Sequence, residues 1–384
     1  MRFSRIFLVA GLLSGAILLG AAGISMTAPQ YTIEELRQLY SSGDPSKWPA
    51  PDLDSATRIG FRDIGKLDRP SYPDYNPYSK EKEVLGRTLF YDPRMSKSLQ
   101  LSCASCHDPE LGWGDGRRVS YGHNRQTGKR NAMTLFNVGF YKHFFWDGRA
   151  TTLEQQAVFP VQDKVEMAQT LTQMEANIKA IPEYAVMFKD AFGDAAVTVG
   201  RIQYAIATFE RSIVSNSSRF DKFVTGSSEL LSDEEVKGLH LFRTRARCIN
   251  CHNTPLFSDN QFHNDGQALY GSKMEDFGHY HLSGKQEDIG AFRTPSLREV
   301  GQTGPWMHHG NFPTLRDVVE YYNLGNPSPI QKFVQVDESK RPVPSPVLRK
   351  LNLDKEELHA LEAFLKTLTT QVRKPAPPAL PGMN

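Results

Sequence analysis

The sequence predicts a mainly α-helical protein with few short strands. Apolar residues recur at helical spacing in several segments, whereas strand-like alternation is rare. One short cysteine motif also occurs twice, at residues 103–107 and 248–252. A chain of 384 residues is long enough for two or three domains. We therefore expect two helical domains, each containing one copy of the motif.

The helices can be assigned in chain order. Residues 33–40 and 80–90 are predicted as helices, and residues 168–192 as two helices separated at Ile181-Pro182. Residues 199–214 have the clearest apolar stripe. Another helix is predicted to begin at Ser232, which forms a capping box with Glu235. Two more helices are predicted at residues 315–322 and 355–368, and residues 253–310 are mostly loop.

The phrase Gly-x-x-Leu-Phe precedes each cysteine motif, at residues 86–90 and 238–242, which indicates an internal duplication. A polar, glycine-containing segment at residues 217–232 is the expected boundary between the halves. The predicted division is an extended lead-in that wraps the first domain, two domains and a disordered Pro-rich tail, at residues 27–79, 80–220, 221–373 and 374–384.

The cysteine motif is C-x-x-C-H, the attachment signature of haem c. Its two thiols bond to one haem, and the following histidine becomes an axial ligand of the iron. Disulfides or a zinc site are the alternatives, but neither requires a histidine directly after each second cysteine. We therefore predict two covalent haem c groups, whose attachment and proximal residues are Cys103, Cys106, His107, Cys248, Cys251 and His252.

The N-terminus resembles an export signal. Arg2 and Arg5 precede an uncharged run at residues 6–26. This run is either a cleaved signal peptide or a retained membrane anchor, because it is just long enough to span a bilayer. Either alternative places the rest of the chain in the periplasm, where haem c is attached.

Charge and cysteine usage exclude other classes. The formal net charge is only +2, and no basic block or basic-aromatic stripe is present, which argues against nucleic-acid binding. All four cysteines lie in the C-x-x-C-H motifs, so no cysteine is left for a structural disulfide.

Six further motifs lie between residues 80 and 368. They are Ser-Tyr-Gly-His at 120–123, Arg-Asn-Ala at 130–132, Phe-Trp-Asp-Gly-Arg-Ala at 145–150, Val-Glu-Met at 165–167, Phe-Arg-Thr-Pro-Ser-Leu-Arg at 292–298 and Thr-Gly-Pro-Trp-Met-His at 303–308. With these motifs the chain resembles the bacterial di-haem cytochrome c peroxidase family, which includes MauG-type enzymes. The resemblance implies two cytochrome-c-like domains that face each other.

The resemblance assigns catalytic roles to three side chains. Glu166 matches the family's distal glutamate, which moves a proton between the two oxygens of peroxide. Gln156 matches the distal glutamine that orients peroxide, and Pro160 a pocket wall. Trp146 matches the tryptophan that lies between the haems and passes electrons.

The resemblance also implies one calcium ion, held by Asn131, Thr303 and Pro305 through side-chain or carbonyl oxygen. His123 matches a loop histidine that caps the first haem iron in resting conventional peroxidases, and here it is either such a cap or an exposed loop residue.

The second iron has two candidate sixth ligands. Conventional members of the family use methionine, which raises the iron's potential. Tyr322 matches the tyrosine of MauG-type enzymes, and Met307 is the rival, which we expect to be a core residue. The chain therefore combines a histidine typical of conventional peroxidases with a tyrosine typical of MauG-type enzymes.

The resemblance implies a peroxidase that reduces hydrogen peroxide with electrons from a small cytochrome c or cupredoxin. One alternative is a MauG-type oxidase, which uses a high-valent di-haem state to modify tryptophan or tyrosine of a partner protein. A second is a di-haem electron carrier, which would need neither Gln156 nor Glu166. A homodimer is also left open.

Overall fold

The computed structural model describes residues 31–325, 337–371 and 375–383. The expected signal peptide or anchor at residues 1–26 lies outside this range. No helix in the described ranges is long and apolar enough to cross a membrane.

The described part is mainly helical, as predicted. Its α-helices are α1 Ile33–Tyr40, α2 Ser55–Arg58, α3 Lys80–Tyr91, α4 Leu153–Gln156, α5 Phe159–Gln162, α6 Leu171–Lys179, α7 Pro182–Phe192, α8 Val199–Ser212, α9 Arg219–Val224, α10 Asp233–Arg243, α11 Tyr280–Ser283, α12 Leu315–Asn323 and α13 Lys355–Lys366.

The described strands form one small antiparallel sheet, of β1 (Phe262–Asn264) and β2 (Ala291–Arg293). Phe262 pairs with Arg293, and His263 with Phe292. Both strands are three residues long, which confirms the expectation of few short strands.

The first half is built on the contact between α3 and α8. A Cβ added at Gly86 would lie only 1.9 Å from the carbonyl oxygen of Ala205, so the two helix backbones meet directly. Leu85, Leu89 and Ile202 are buried beside this contact. Glycine at position 86 is therefore a packing requirement of the first half.

The second half repeats this arrangement with α10 and α13. A Cβ added at Gly238 would lie 1.9 Å from the carbonyl oxygen of Ala360. The glycines of the two Gly-x-x-Leu-Phe phrases thus occupy equivalent helix crossings. This equivalence confirms the internal duplication predicted from sequence.

The sequence predicted that the lead-in wraps the first domain, but in the structure it contacts both halves. Its first part packs on the second half: α1 contacts α10, and the side chain of Asn250 binds the backbone of Asp54. Only its later part reaches the first half, where Asn76 donates to Glu154 at 2.8 Å. Sequence reasoning missed this crossing because partners far apart in the chain determine it.

The segment predicted as a polar boundary contains the buried helix α9. Phe220 and Phe223 are fully buried on one side of α9, and Phe220 lies against Phe257 and Phe364 of the second half. The serines and glycine around α9 made the segment look polar, so its apolar face was missed in the sequence.

The Pro-rich tail has no helix or strand from 375 to 383. The Arg87 guanidinium donates to the carbonyl of Ala376, so part of the tail contacts the first half.

Candidate active site

The first C-x-x-C-H motif begins as a short 3-10 turn at Cys103–Ser105. The backbone N–H of His107 donates to the carbonyl of Cys103 at 3.0 Å, which continues the turn to the histidine. Nδ1 of His107 donates to the carbonyl of Trp113 at 3.1 Å. This bond leaves Nε2 as the nitrogen available to an iron.

The second motif repeats this geometry. The turn is Cys248–Asn250, and the backbone N–H of His252 donates to the carbonyl of Cys248 at 2.9 Å. Nδ1 of His252 donates to the carbonyl of Phe257 at 3.0 Å. Both histidines are therefore held by a backbone carbonyl five or six residues later.

Each motif lines its own cavity. The first cavity has an empty volume of about 1400 Å³ and the second about 1540 Å³, including their open mouths. Two thiols and one histidine face a large, mainly apolar space in each half, which fits a covalently attached haem.

Glu166 and Gln156 both line the first cavity together with His107. Gln156 ends α4, and Glu166 lies in the turn after α5, where its N–H donates to the carbonyl of Asp163 at 3.1 Å. Burial raises the pKa of Glu166 and nearby Asp163 raises it further, against the opposing charge of Arg149. The cavity therefore contains a carboxyl group that holds its proton more tightly than an exposed glutamate does.

Pro160 lines the same cavity, as predicted, but His123 is not among its lining residues. The His123 backbone N–H donates to the carbonyl of Glu166 at 2.7 Å, and its Nδ1 is buried with no hydrogen-bond partner. The neighbouring Gly122 lies directly against Val165, because a Cβ at position 122 would be 2.0 Å from the Val165 carbonyl oxygen. The histidine loop thus rests on the segment that carries Glu166, without its side chain facing the cavity.

Sequence reasoning missed Glu210, a second carboxyl group in the first cavity. Glu210 lies on α8, its side chain is 5% exposed, and its Oε2 has no hydrogen-bond partner. Burial raises its pKa to about 8. A glutamate directly after Phe209, within the predicted helix of residues 199–214, was the available signal, but it resembles an ordinary helix-edge residue.

Tyr322 and Met307 both line the second cavity, so the described geometry leaves both candidates within it. Tyr322 lies on α12. Burial raises its pKa well above the ordinary value of a phenol, with Asp265 contributing. His308 also lines this cavity; its ring stacks on Phe292 at 3.6 Å between centroids, and its Nε2 is buried without a partner.

The two cavities share a wall. Trp146 is 9% exposed, and its indole Nε1 donates to the carbonyl of Asn131 at 3.0 Å. The shared wall therefore contains an aromatic side chain, and the role of Trp146 in passing electrons stays a prediction of the resemblance. The residues that line both cavities are Asn131, Met133, Thr134, Tyr141, Trp146 and Arg293.

The residues predicted to bind calcium all line the second cavity, and one of them, Asn131, also belongs to the shared wall. Thr303 and Pro305 line the second cavity together with Asn131. The N–H of Asn131 donates to the carbonyl of His308 at 2.7 Å, which ties it to the segment that follows Pro305. The structure thus brings the three residues into one region.

Comparison with known proteins gives the family. A family model described as di-haem cytochrome c peroxidase matches residues 80–229. The chain is 35% identical to cytochrome c551 peroxidase of Nitrosomonas europaea, over 80% of this chain and 86% of that protein. It is 34% identical to the methylamine utilization protein MauG of Methylorubrum extorquens, over 81% and 84%. A solved structure of a MauG-like protein associated with microbial copper homeostasis aligns with a TM-score of 0.71 at 32% identity, over 79% of this chain and 93% of that one.

The chain therefore belongs to the di-haem cytochrome c peroxidase family. It is a peroxidase-type oxidoreductase with two haem c groups, which confirms the prediction from the doubled motif.

Proposed function

We propose that the first cavity reduces hydrogen peroxide to water and that Glu166 is its acid-base group. One observation carries this proposal: a partly buried carboxyl group with a raised pKa lies in the same cavity as His107 and Gln156. An electron carrier needs no proton-transferring group beside its iron. When bound, haem supplies an iron that takes peroxide as a ligand and provides the electrons that cleave its O–O bond.

The proton steps belong to the chain. Glu166 accepts a proton from one peroxide oxygen and returns it to the other, which leaves as water. Two electrons and two protons complete the reduction of one peroxide to two water molecules. The raised pKa of Glu166 suits this exchange, since acid-base catalysts are most effective with a pKa near the working pH. The Gln156 amide orients the peroxide by hydrogen bonding.

Electrons reach the first cavity from the second through Trp146. This proposal rests on the position of Trp146 in the wall common to both cavities. The electrons come from a small cytochrome c or cupredoxin. Of the two candidates that line the second cavity, Tyr322 would bind the second iron and Met307 would not.

The remaining assignments concern the frame of the enzyme. Asn131, Thr303 and Pro305 bind one calcium ion, since all three line the second cavity and can offer oxygen ligands. Residues 80–220 and 221–373 form the two haem domains. The charged start and apolar run of residues 1–26 export the chain to the periplasm, as a cleaved signal peptide or as an anchor.

The Glu166→Gln variant tests the acid-base role. It preserves side-chain size and removes the proton acceptor, so peroxide turnover should fall by about 10²–10⁴-fold. Two haems should still be attached, as measured by mass spectrometry. Glu183→Gln, an exposed glutamate on α7, is the matched control and should retain full turnover. Near-normal turnover in Glu166→Gln would exclude Glu166 as the acid-base group.

A second candidate is a MauG-type oxidase that modifies tryptophan or tyrosine of a partner protein. Tyr322 in the second cavity favours it, because this is the tyrosine of the MauG-type resemblance. Peroxide-dependent mass changes in co-purified or genomically neighbouring proteins would support this activity. Rapid peroxide turnover with a reduced small cytochrome, and no such mass change, would support the peroxidase alone.

A further inference from the structure

Buried arginines in the described residues form a pattern with one exception. Arg298 is typical: its guanidinium donates to both oxygens of Asp221 at 2.9 and 3.0 Å. Arg211 binds both oxygens of Glu154 at 2.6 and 2.9 Å. The deeply buried arginines that pair with at least one carboxylate are Arg211, Arg243, Arg247 and Arg298.

Arg293 is the exception. It is 1% exposed, and no described acidic side chain forms an ion pair with it. Its guanidinium makes long contacts to the carbonyls of Thr294 at 3.2 Å and Phe145 at 3.4 Å and to Sδ of Met133 at 3.5 Å, and it hydrogen-bonds with the Tyr141 side chain. It also stacks on the Tyr141 ring at 3.9 Å. These neutral partners orient the guanidinium without neutralising its charge.

A buried cation without an anion is costly, by several kcal/mol even after relaxation. Burial accordingly lowers the pKa of Arg293, whereas carboxylate partners raise that of Arg243 despite its burial. The protein part alone therefore leaves the charge of Arg293 uncompensated. A ligand that brings negative charge to this position would remove the cost.

The location of Arg293 identifies that ligand. Arg293 lines both haem cavities, and its backbone N–H donates to the carbonyl of Trp146 at 2.8 Å. It ends strand β2, which fixes its backbone against β1. Each haem carries two carboxylate groups on its propionate side chains, and a guanidinium is the side chain best suited to bind carboxylates.

We propose that Arg293 is the counter-ion shared by the propionate carboxylates of both haems, and that it sets both reduction potentials together. A nearby positive charge disfavours the oxidised, more positive iron, so Arg293 raises both potentials. This inference rests on haem binding and is independent of the acid-base role of Glu166.

The test is Arg293→Met, with the midpoint potential of each haem measured by spectroelectrochemistry in the absence of peroxide. Both potentials should shift to lower values, and infrared spectra should show altered carboxylate bands. Arg293→Lys keeps the charge but loses the two-pronged geometry, so it should lower both potentials less. If Arg293→Met fails to fold, Arg293→Lys still distinguishes a shift of both haems from no shift.

Arg149→Met is the matched control. Arg149 also stacks on an aromatic ring, that of Phe145 at 3.5 Å, but it pairs with Asp147 and lines only the first cavity. Its removal should change the potential of the first haem alone. Unchanged potentials in both Arg293 variants, a shift confined to one haem, or an equal shift of both haems in Arg149→Met would each overturn the proposal.

Discussion

The two halves of the molecule have the same helix crossing and haem-attachment turn, but different side chains line their cavities. In both, a glycine of Gly-x-x-Leu-Phe allows two helix backbones to touch, at Gly86 with Ala205 and at Gly238 with Ala360. In both, Nδ1 of the motif histidine donates to a backbone carbonyl within six residues. Duplication therefore preserved what attaches and orients a haem.

The difference lies in the side chains that the frame presents to each cavity. A Cβ at Gly86 would lie 3.0 Å from Phe209 Cβ, and one at Gly238 would lie 2.8 Å from Phe364 Cβ, so these two phenylalanines are equivalent. The next residue lines the cavity in each half, and it is Glu210 in the first half but Leu365 in the second.

This comparison separates attachment from chemistry. The first cavity contains Glu166 and Glu210, both with raised pKa values, whereas Tyr322 and Met307 face the second. The two cavities thus present different side chains, although the second also contains a carboxyl group, that of Asp265, whose pKa burial raises to about 6. A duplicated fold can specialise by changing only cavity-lining residues.

The largest expected effect tests the common frame. In Gly86→Ala or Gly238→Ala the new methyl group would meet a carbonyl oxygen at 1.9 Å, so the helices must separate. Each variant should lose about 1–3 kcal/mol of unfolding free energy or more, measured by urea denaturation. Gly200→Ala on α8 meets nothing within 4 Å and is the control, with no loss expected. A loss in only one half would break the equivalence of the two crossings.

A second experiment sharpens the difference between the cavities. Tyr322→Met should raise the potential of the second haem, because methionine stabilises the reduced iron relative to a phenolate. Met307→Leu removes the only thioether among the residues that line the second cavity alone, and should leave that potential unchanged. Loss of a sulfur-ligand absorption band in Met307→Leu would identify Met307 as the ligand and contradict the assignment of Tyr322.

The last experiment concerns Glu210 and the pH dependence of stability. Its pKa is raised from 4.5 to about 8 in the folded protein, so between these values the folded state retains a proton that the unfolded state has lost. Stability should therefore fall as pH rises through this window, by at most about 1.4 kcal/mol per pH unit, and level off above it.

Glu210→Gln removes this titration, so its unfolding free energy should fall less steeply between about pH 4.5 and 8. Urea denaturation at several pH values measures the slope. The exposed Glu229→Gln should keep the wild-type slope. Identical slopes for wild type and Glu210→Gln would show that Glu210 is not a buried, protonated acid.

Features with local sequence signals were predictable. The helices at residues 33–40, 80–90 and 182–192 and the capping box of Ser232 with Glu235 were all correct. The path of the lead-in was predicted incorrectly, and the burial of α9 was not predicted. Each depends on partners far along the chain, such as Asn250 for Asp54 and Phe364 for Phe220.

The sequence by itself determined the haem attachment residues, the duplication and the helical class. These follow from covalent chemistry and from repeat spacing, which are properties of short segments. Only the tertiary structure decided that Trp146 and Arg293 share a wall between the two cavities and that Glu210 is a buried acid. Burial and charge pairing arise from the packing of segments that are distant in the chain, so the sequence does not show them. Arg298 pairs with Asp221, whereas Arg293 has no acidic partner among the described residues, yet the two arginines look alike in sequence.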